Sequence, residues 1–264
     1  MQSRVVLGID AAWTARNPSG VALAIEEDGN WTLVHVAASY RTFEMLSGLE
    51  RCAAATSLHQ PSAVGLLNTT QLLCGRRPDL IAVDMPMSLE PITGRRASDS
   101  AVSRAYGGRK CSTHSPSAER PGKISDQLRL DMEQHGYALN TTTISESALI
   151  EVYPHPALVE LAKSPERLPY KVHKIRNYWP SLPPAERRNQ LMLQWRSIIT
   201  LLGDQLNGVK AALPLPSISA PVSELKSYED MIDAVVCAWA GICALSGKAK
   251  PYGDQDSAIW IPSL

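Results

Sequence analysis

Two short aliphatic runs, far apart in the chain, each stop at an aspartate: Arg4-Val5-Val6-Leu7-Gly8-Ile9 at Asp10, and Leu80-Ile81-Ala82-Val83 at Asp84. Runs of this length and β-branched content form buried strands. If the two strands lie side by side and parallel, both carboxylates emerge at one end of a sheet. Like charges brought together raise one another's pKa and destabilise a fold, so such acids gather mainly where a cation or a shared proton relieves the repulsion.

The flanking pattern supports that arrangement. After Asn17-Pro18-Ser19-Gly20 a second run, Val21 to Ile25, leads through the hairpin signal Glu27-Asp28-Gly29-Asn30 into Trp31 to Val36, which predicts three antiparallel strands. A helical connection from Thr42 to His59, with Phe43, Leu46, Leu49 and Ala53 on one face and Thr42 as its cap, would return the chain parallel to the first strand. Ala148 to Val152 reads as a further strand, and Pro156 starts a helix through Ala162. The expected fold is a single mixed α/β domain over residues 1–264, three antiparallel strands then parallel ones, flanked by helices. Two insertions interrupt it. One is polar and basic, at about 90–147, with helices over Arg95 to Tyr106 and Ile124 to Tyr137; the other is proline-rich and helical, at about 163–226, with a helix over Glu186 to Leu202.

A third acidic group opens a helix expected from Glu229 to Leu245. Asp230 and Asp233, three apart, share a face, and Asp233 sits inside the apolar run Met231 to Val236, where an uncompensated charge is costly. Glu229 has the simpler reading of an acid that complements a helix dipole. Glu151, on the strand Leu149 to Tyr153, is either solvent-facing or turned into the site. An all-carboxylate donor set selects Mg2+ or Mn2+ over zinc. The candidate ligands of a two-metal site are Asp10, Asp84, Asp230 and Asp233, Asp10 bridging the two ions, with Glu151 a further catalytic candidate.

Lysine plus arginine equals aspartate plus glutamate at 26 each, so no global field draws a polyanion, and a nucleic acid would need a local basic face. The segment after Asp84 offers one: Arg95, Arg96, Arg104, Arg109, Lys110, Arg120 and Lys123, with His114 in an exposed-type loop. Lys171, Lys174 and Arg176 extend it. The five scattered cysteines contain no Cys-x-x-Cys pair, which argues against a zinc or dithiol centre and for a reducing, cytoplasmic setting. The longest apolar run, Ala234 to Leu245, is too short to span a bilayer, so no membrane partner is expected.

These motifs, namely Gly8-Ile9-Asp10-Ala11-Ala12-Trp13 with Asn17-Pro18-Ser19-Gly20, Ala82-Val83-Asp84-Met85-Pro86, Arg96 with Asp99, Ile150-Glu151-Val152-Tyr153-Pro154, and Asp230 to Ala234, resemble the domain-of-unknown-function family 429 over nearly the whole chain. The resemblance implies a ribonuclease H-like fold and a nuclease. In it Asp10 matches the first-strand acid, Asp84 the fourth-strand acid, and Asp230 or Asp233 the acids of the last helix. The expected activity is therefore divalent-metal-dependent hydrolysis of phosphodiester bonds in a nucleic acid or nucleotide. The alternative is a noncatalytic module that uses the basic insertion to hold nucleic acid or protein. An actin-like phosphotransferase fits poorly, because Asp10 is followed by Ala-Ala-Trp and not by a glycine-rich phosphate hairpin.

Overall fold

In the computed structural model, which describes residues 3–14, 17–48 and 62–263, alternation and turn chemistry build the first three strands as expected. β1 (Arg4–Asp10), β2 (Gly20–Glu27) and β3 (Asn30–Ala37) form an antiparallel meander. Asp28 and Gly29, at φ 51° and 80°, make the left-handed hairpin turn that Asp-Gly favours.

Two helices then cross one face. α1 (Tyr40–Met45) is capped by Ser39 in a reciprocal pair with Thr42, so the expected cap falls at the third helical position, not the first. α2 (Ala63–Cys74) starts on Ser62 and stops at the left-handed Gly75. The stretch 49–61, which carries most of the expected Thr42 to His59 helix together with Glu50 and Cys52, lies outside the described residues. The chain returns in β4 (Leu80–Val83), parallel to β1 with Ile9 opposite Val83, and the Asp84 amide donates to the Ile9 carbonyl at 2.8 Å. Asp10 and Asp84 therefore leave neighbouring strands at the same level.

The polar segment that follows contains α3 (Ala97–Tyr106) and α4 (Gly122–Gln134), then a short strand β5 (Ala138–Leu139) beside β6 (Ala148–Val152). β6 is parallel to β4. α5 (Pro154–Leu161) comes next, with the proline-rich region folding as α6 (Ile175–Tyr178), α7 (Pro184–Gly203) and α8 (Val209–Ala212). α9 (Val222–Leu245) is the long last helix, and a hairpin of β7 (Ala249–Gly253) and β8 (Ala258–Pro262) ends the fold. The sheet order is β3-β2-β1-β4-β6-β8-β7, with three antiparallel strands, parallel strands through β8 and an antiparallel edge. No helix among the described residues is long and apolar enough to cross a membrane.

The strand period sorts side chains onto two faces. Val5, Leu7, Ile9, Ile81, Val83 and Leu149 pack with Phe43, Leu66 and Leu128 of α1, α2 and α4. Val6, Ala22, Ala24, Leu80, Ala82 and Ile150 face α9, with α5 and α7 behind it. On the α9 side the strands carry small residues, and the helix comes very close. A Cβ on Gly8 would stand 2.3 Å from the Ala238 nitrogen and 2.4 Å from the Ala234 oxygen; one on Gly20, the cross-strand partner of Asp10, would stand 2.2 Å from the Asp230 oxygen. Absence of these two side chains is what lets α9 lay its acids over the tip of β1.

Because the obstructing atoms are backbone, Gly8→Ala must move the helix. Overpacking of a filled core costs about 1–3 kcal/mol, and the upper end is expected here. Gly94→Ala, where a Cβ meets nothing within 4 Å, should stay within about 0.5 kcal/mol of the parent. Urea midpoints of the two variants check this, and equal midpoints would remove the close-approach argument.

Candidate metal centre

Asp10 at the end of β1 and Asp84 just after β4 lie part-buried at the floor of a cleft of about 450 Å³. The cleft is also lined by Trp13, Asn17, Arg120, Lys171, His173, Lys226 and Asp230. One carboxylate oxygen each from Asp10, Asp230 and Asp233 lie within 4.8 Å of one another. Asp84 falls outside that triad but is close enough to Asp10 for the two charges to oppose each other. The two strand-tip acids and the two helix acids thus converge from three distant parts of the chain.

α9 begins at Val222, seven residues before the expected start, so Glu229, Asp230 and Asp233 occupy its middle turns. Glu229 is no N-terminal dipole complement; it is 2% exposed, and its carboxylate accepts from the Val172 amide at 2.5 Å and from Lys226 at 3.0 Å. Lys226 also bonds Asp230, one helical turn on. Asp233 is wholly buried, with Tyr170 donating to Oδ1 at 2.6 Å and Lys171 to Oδ2. From the sequence, Lys171 is expected only as an extension of the basic surface, and Lys226 and Tyr170 are not expected at the site at all. The i, i+4 spacing of Lys226 and Asp230 was the available signal for one of them.

Glu151 answers its open alternative in a third way. It is buried on the face opposite α9, where strand alternation puts it with Leu149. Arg96 donates to both of its oxygens, at 2.6 and 2.8 Å, and the Met87 amide adds a bond of 2.8 Å. Arg96 uses its remaining donors on Asp99 and the Met87 carbonyl. Expected on the phosphate-binding surface, Arg96 instead has every guanidinium N–H engaged inside the protein and is 9% exposed.

The rest of the basic segment is dispersed. Arg95 ties the start of α3 to Ser103 and Ser115, Arg109 pairs with Glu160 at 2.5 Å, and Lys110 pairs with Glu166 at 2.6 Å. Arg104 is exposed on α3. His114 lines a small recess of about 50 Å³ with Asp84, Arg96 and Glu151, next to the main cleft. Arg120 lines the cleft itself. His155 is packed edge-on between the Tyr153 and Tyr170 rings, both centroids at 5.4 Å.

Electrostatics follow from burial and crowding. Burial, then Asp233 and Asp230, hold the Asp10 carboxyl well above the usual carboxylate range. Burial and then Asp233 push Asp84 up to about 8, with Lys171 pulling the other way. Burial lifts Glu151 to about 7 against the pull of Arg96. A native state that keeps protons the unfolded chain has released becomes less stable as pH rises. Buried His155, held well below its ordinary value of 6.5 by desolvation and then Lys171, gives the opposite slope, but only below that value. Without metal, stability should therefore fall from about pH 7 to pH 8, and saturating Mn2+ should flatten that fall. Urea titrations at the two pH values, with Mn2+ and with chelator, read it directly; a metal-free protein that gains stability over this interval contradicts the charge arrangement.

A mixed sheet bearing acids at the tips of adjacent parallel strands, met by acids from a helix packed across them, defines a class of α/β protein with its centre at one sheet end. Within that class, the chain belongs to the family described as "Protein of unknown function (DUF429)", whose model matches residues 8–257. No curated protein and no solved structure matches it.

Proposed function

We propose that this protein is a divalent-metal-dependent hydrolase of phosphodiester bonds, a nuclease on a ribonuclease H-like fold. The observation that carries the reading is the convergence of Asp10, Asp84 and Asp230 on a cleft that Arg120, Lys171 and Lys226 also line. The donor set fits the ion: every candidate ligand is a carboxylate oxygen, which suits Mg2+ or Mn2+, and the raised carboxyls of Asp10 and Asp84 would release their protons to solvent as a cation binds. When bound, such an ion supplies charge neutralisation at the phosphoryl oxygens and an acidified water.

The chain's own groups do the rest. Asp10, Asp84 and Asp230 hold and orient the ion. Arg120, Lys171 and Lys226 bring positive charge to the anionic substrate, and Trp13 offers an aromatic wall on which a base can stack. The sheet order, with its antiparallel β3-β2-β1 followed by parallel β4 and β6, is the order the ribonuclease H-like reading requires. The free thiols of Cys74, Cys111, Cys237 and Cys243 support a reducing, cytoplasmic setting.

The test is a panel of single-stranded, duplex and branched DNA and RNA with Mg2+, Mn2+ or chelator. Cleavage that needs the ion and disappears in Asp84→Asn is expected. Binding that survives chelator, with no cleavage of any substrate, would favour the noncatalytic module.

A further inference from the structure

Of the acids gathered around the cleft, only some have oxygens left for an ion. Both oxygens of Asp233 are taken, one by the Tyr170 hydroxyl and one by the Lys171 ammonium. Both oxygens of Glu229 are taken, by the Val172 amide on one side and by Lys171 and Lys226 on the other. Asp230 gives one oxygen to Lys226. Among the described residues, nothing donates to the carboxylates of Asp10 and Asp84. The open donors are thus the strand-tip acids and half of Asp230, while the deeper acids are already neutralised.

Lys171 is not a surface side chain that has drifted in. Tyr170, Lys171 and Val172 clamp α9 as a unit, through Asp233 and Glu229. Tyr170 is wholly buried, and its carbonyl accepts from the Trp195 indole at 2.9 Å. The Lys171 ammonium stands 4.9 Å from the centre of the Tyr170 ring, is one-fifth exposed at 20%, and lines the cleft. Asp233 and Glu229 together hold the ammonium in place. A fixed positive charge therefore sits on the Asp233 oxygen, beside the triad of Asp10, Asp230 and Asp233.

We propose that the Lys171 ammonium fills the place that a second metal ion would take in a two-metal centre, so that the site holds one divalent ion, at Asp10 and Asp230 beside Asp84. Asp233 is then the positioning residue of Lys171 and not a metal ligand. This rests on the metal-dependent reading above, and its test separates the two. Mn2+ bound per chain is counted on the full-length protein at pH 8 by the loss of the free-ion electron paramagnetic resonance signal. The wild-type count should be one, rising to two in Lys171→Met, which bares Asp233 and Glu229, and staying at one in Lys171→Arg. Lys171→Gln, which keeps a donor to Asp233 without its charge, carries the same count of two should the methionine variant fail to fold. Two ions on the wild type would overturn the proposal and leave a metal-dependent enzyme standing, as would a count of one in a folded, uncharged variant. No ion on the wild type would sink both readings.

Discussion

Asp10→Asn is expected to lower ion-dependent cleavage about a thousandfold or more and, in the same protein, to raise the stability of the metal-free fold. A thousandfold is about 4 kcal/mol of transition-state stabilisation, a reasonable share of what a bound cation contributes as a Lewis acid. Asp10 opposes Asp233, Asp230 and Asp84 at once. Without an ion that proximity is a liability, and asparagine removes the charge at nearly unchanged volume. The gain should be larger at pH 8 than at pH 5, where the wild-type carboxyl already carries its proton, and the rise in melting temperature that Mn2+ gives the wild type should shrink or vanish. Chelator-treated melts at the two pH values, beside cleavage assays, test all of this. A variant that is less stable than its parent and cleaves normally would make Asp10 a structural acid.

The second large effect lies behind the cleft. Arg96→Met removes the cation from a buried pair with Glu151 and strands Asp99 as well. Breaking a buried pair on one side typically costs 3–5 kcal/mol, about as much as many domains can lose, because the remaining charge is left without a partner. A lost packing contact would give the same cost at every pH. An orphaned carboxylate would not: the Glu151 carboxyl, already at about 7 beside Arg96, rises further without it, so above about pH 7 the folded variant keeps a proton that the folded parent releases, and its deficit grows from there to about pH 9. Urea midpoints across that range distinguish the two, and a flat deficit would mean that Arg96 matters for its volume alone.

Arg96 also marks how far the sequence could be read. Seven bases between Arg95 and Lys123 looked like one surface, because charge along a chain is visible and the partner of each charge is not. Glu151, 55 residues away, took the guanidinium, and Glu160 and Glu166 took Arg109 and Lys110. The β7–β8 hairpin was passed over for a different reason. Pro251 and Lys250 break the apolar pattern of β7, as edge strands commonly do, although Ala258 to Ile261 after Asp254-Gln255-Asp256 was a usable strand signal. The first turn of α9 is hard to read because Val222, Ser223 and Glu224 are exposed and Leu225 is the one buried residue before Tyr228, so the continuous helical spacing begins further on.

The sequence by itself determined β1 to β4 and β6, the first hairpin turn and the two aspartates at strand tips, since alternation, β-branching and Asp-Gly turns are local properties of the chain. It also marked Asp233 as an acid that needed compensation, from its apolar neighbours alone. Which group compensates it was decided only by tertiary structure. Tyr170 and Lys171 lie 63 and 62 residues from Asp233, and the approach that lays α9 on the sheet depends on Gly8 and Gly20 meeting helix backbone. Contacts between distant segments leave no periodicity in the sequence, so which acids the resident lysines hold becomes visible only once the chain has folded.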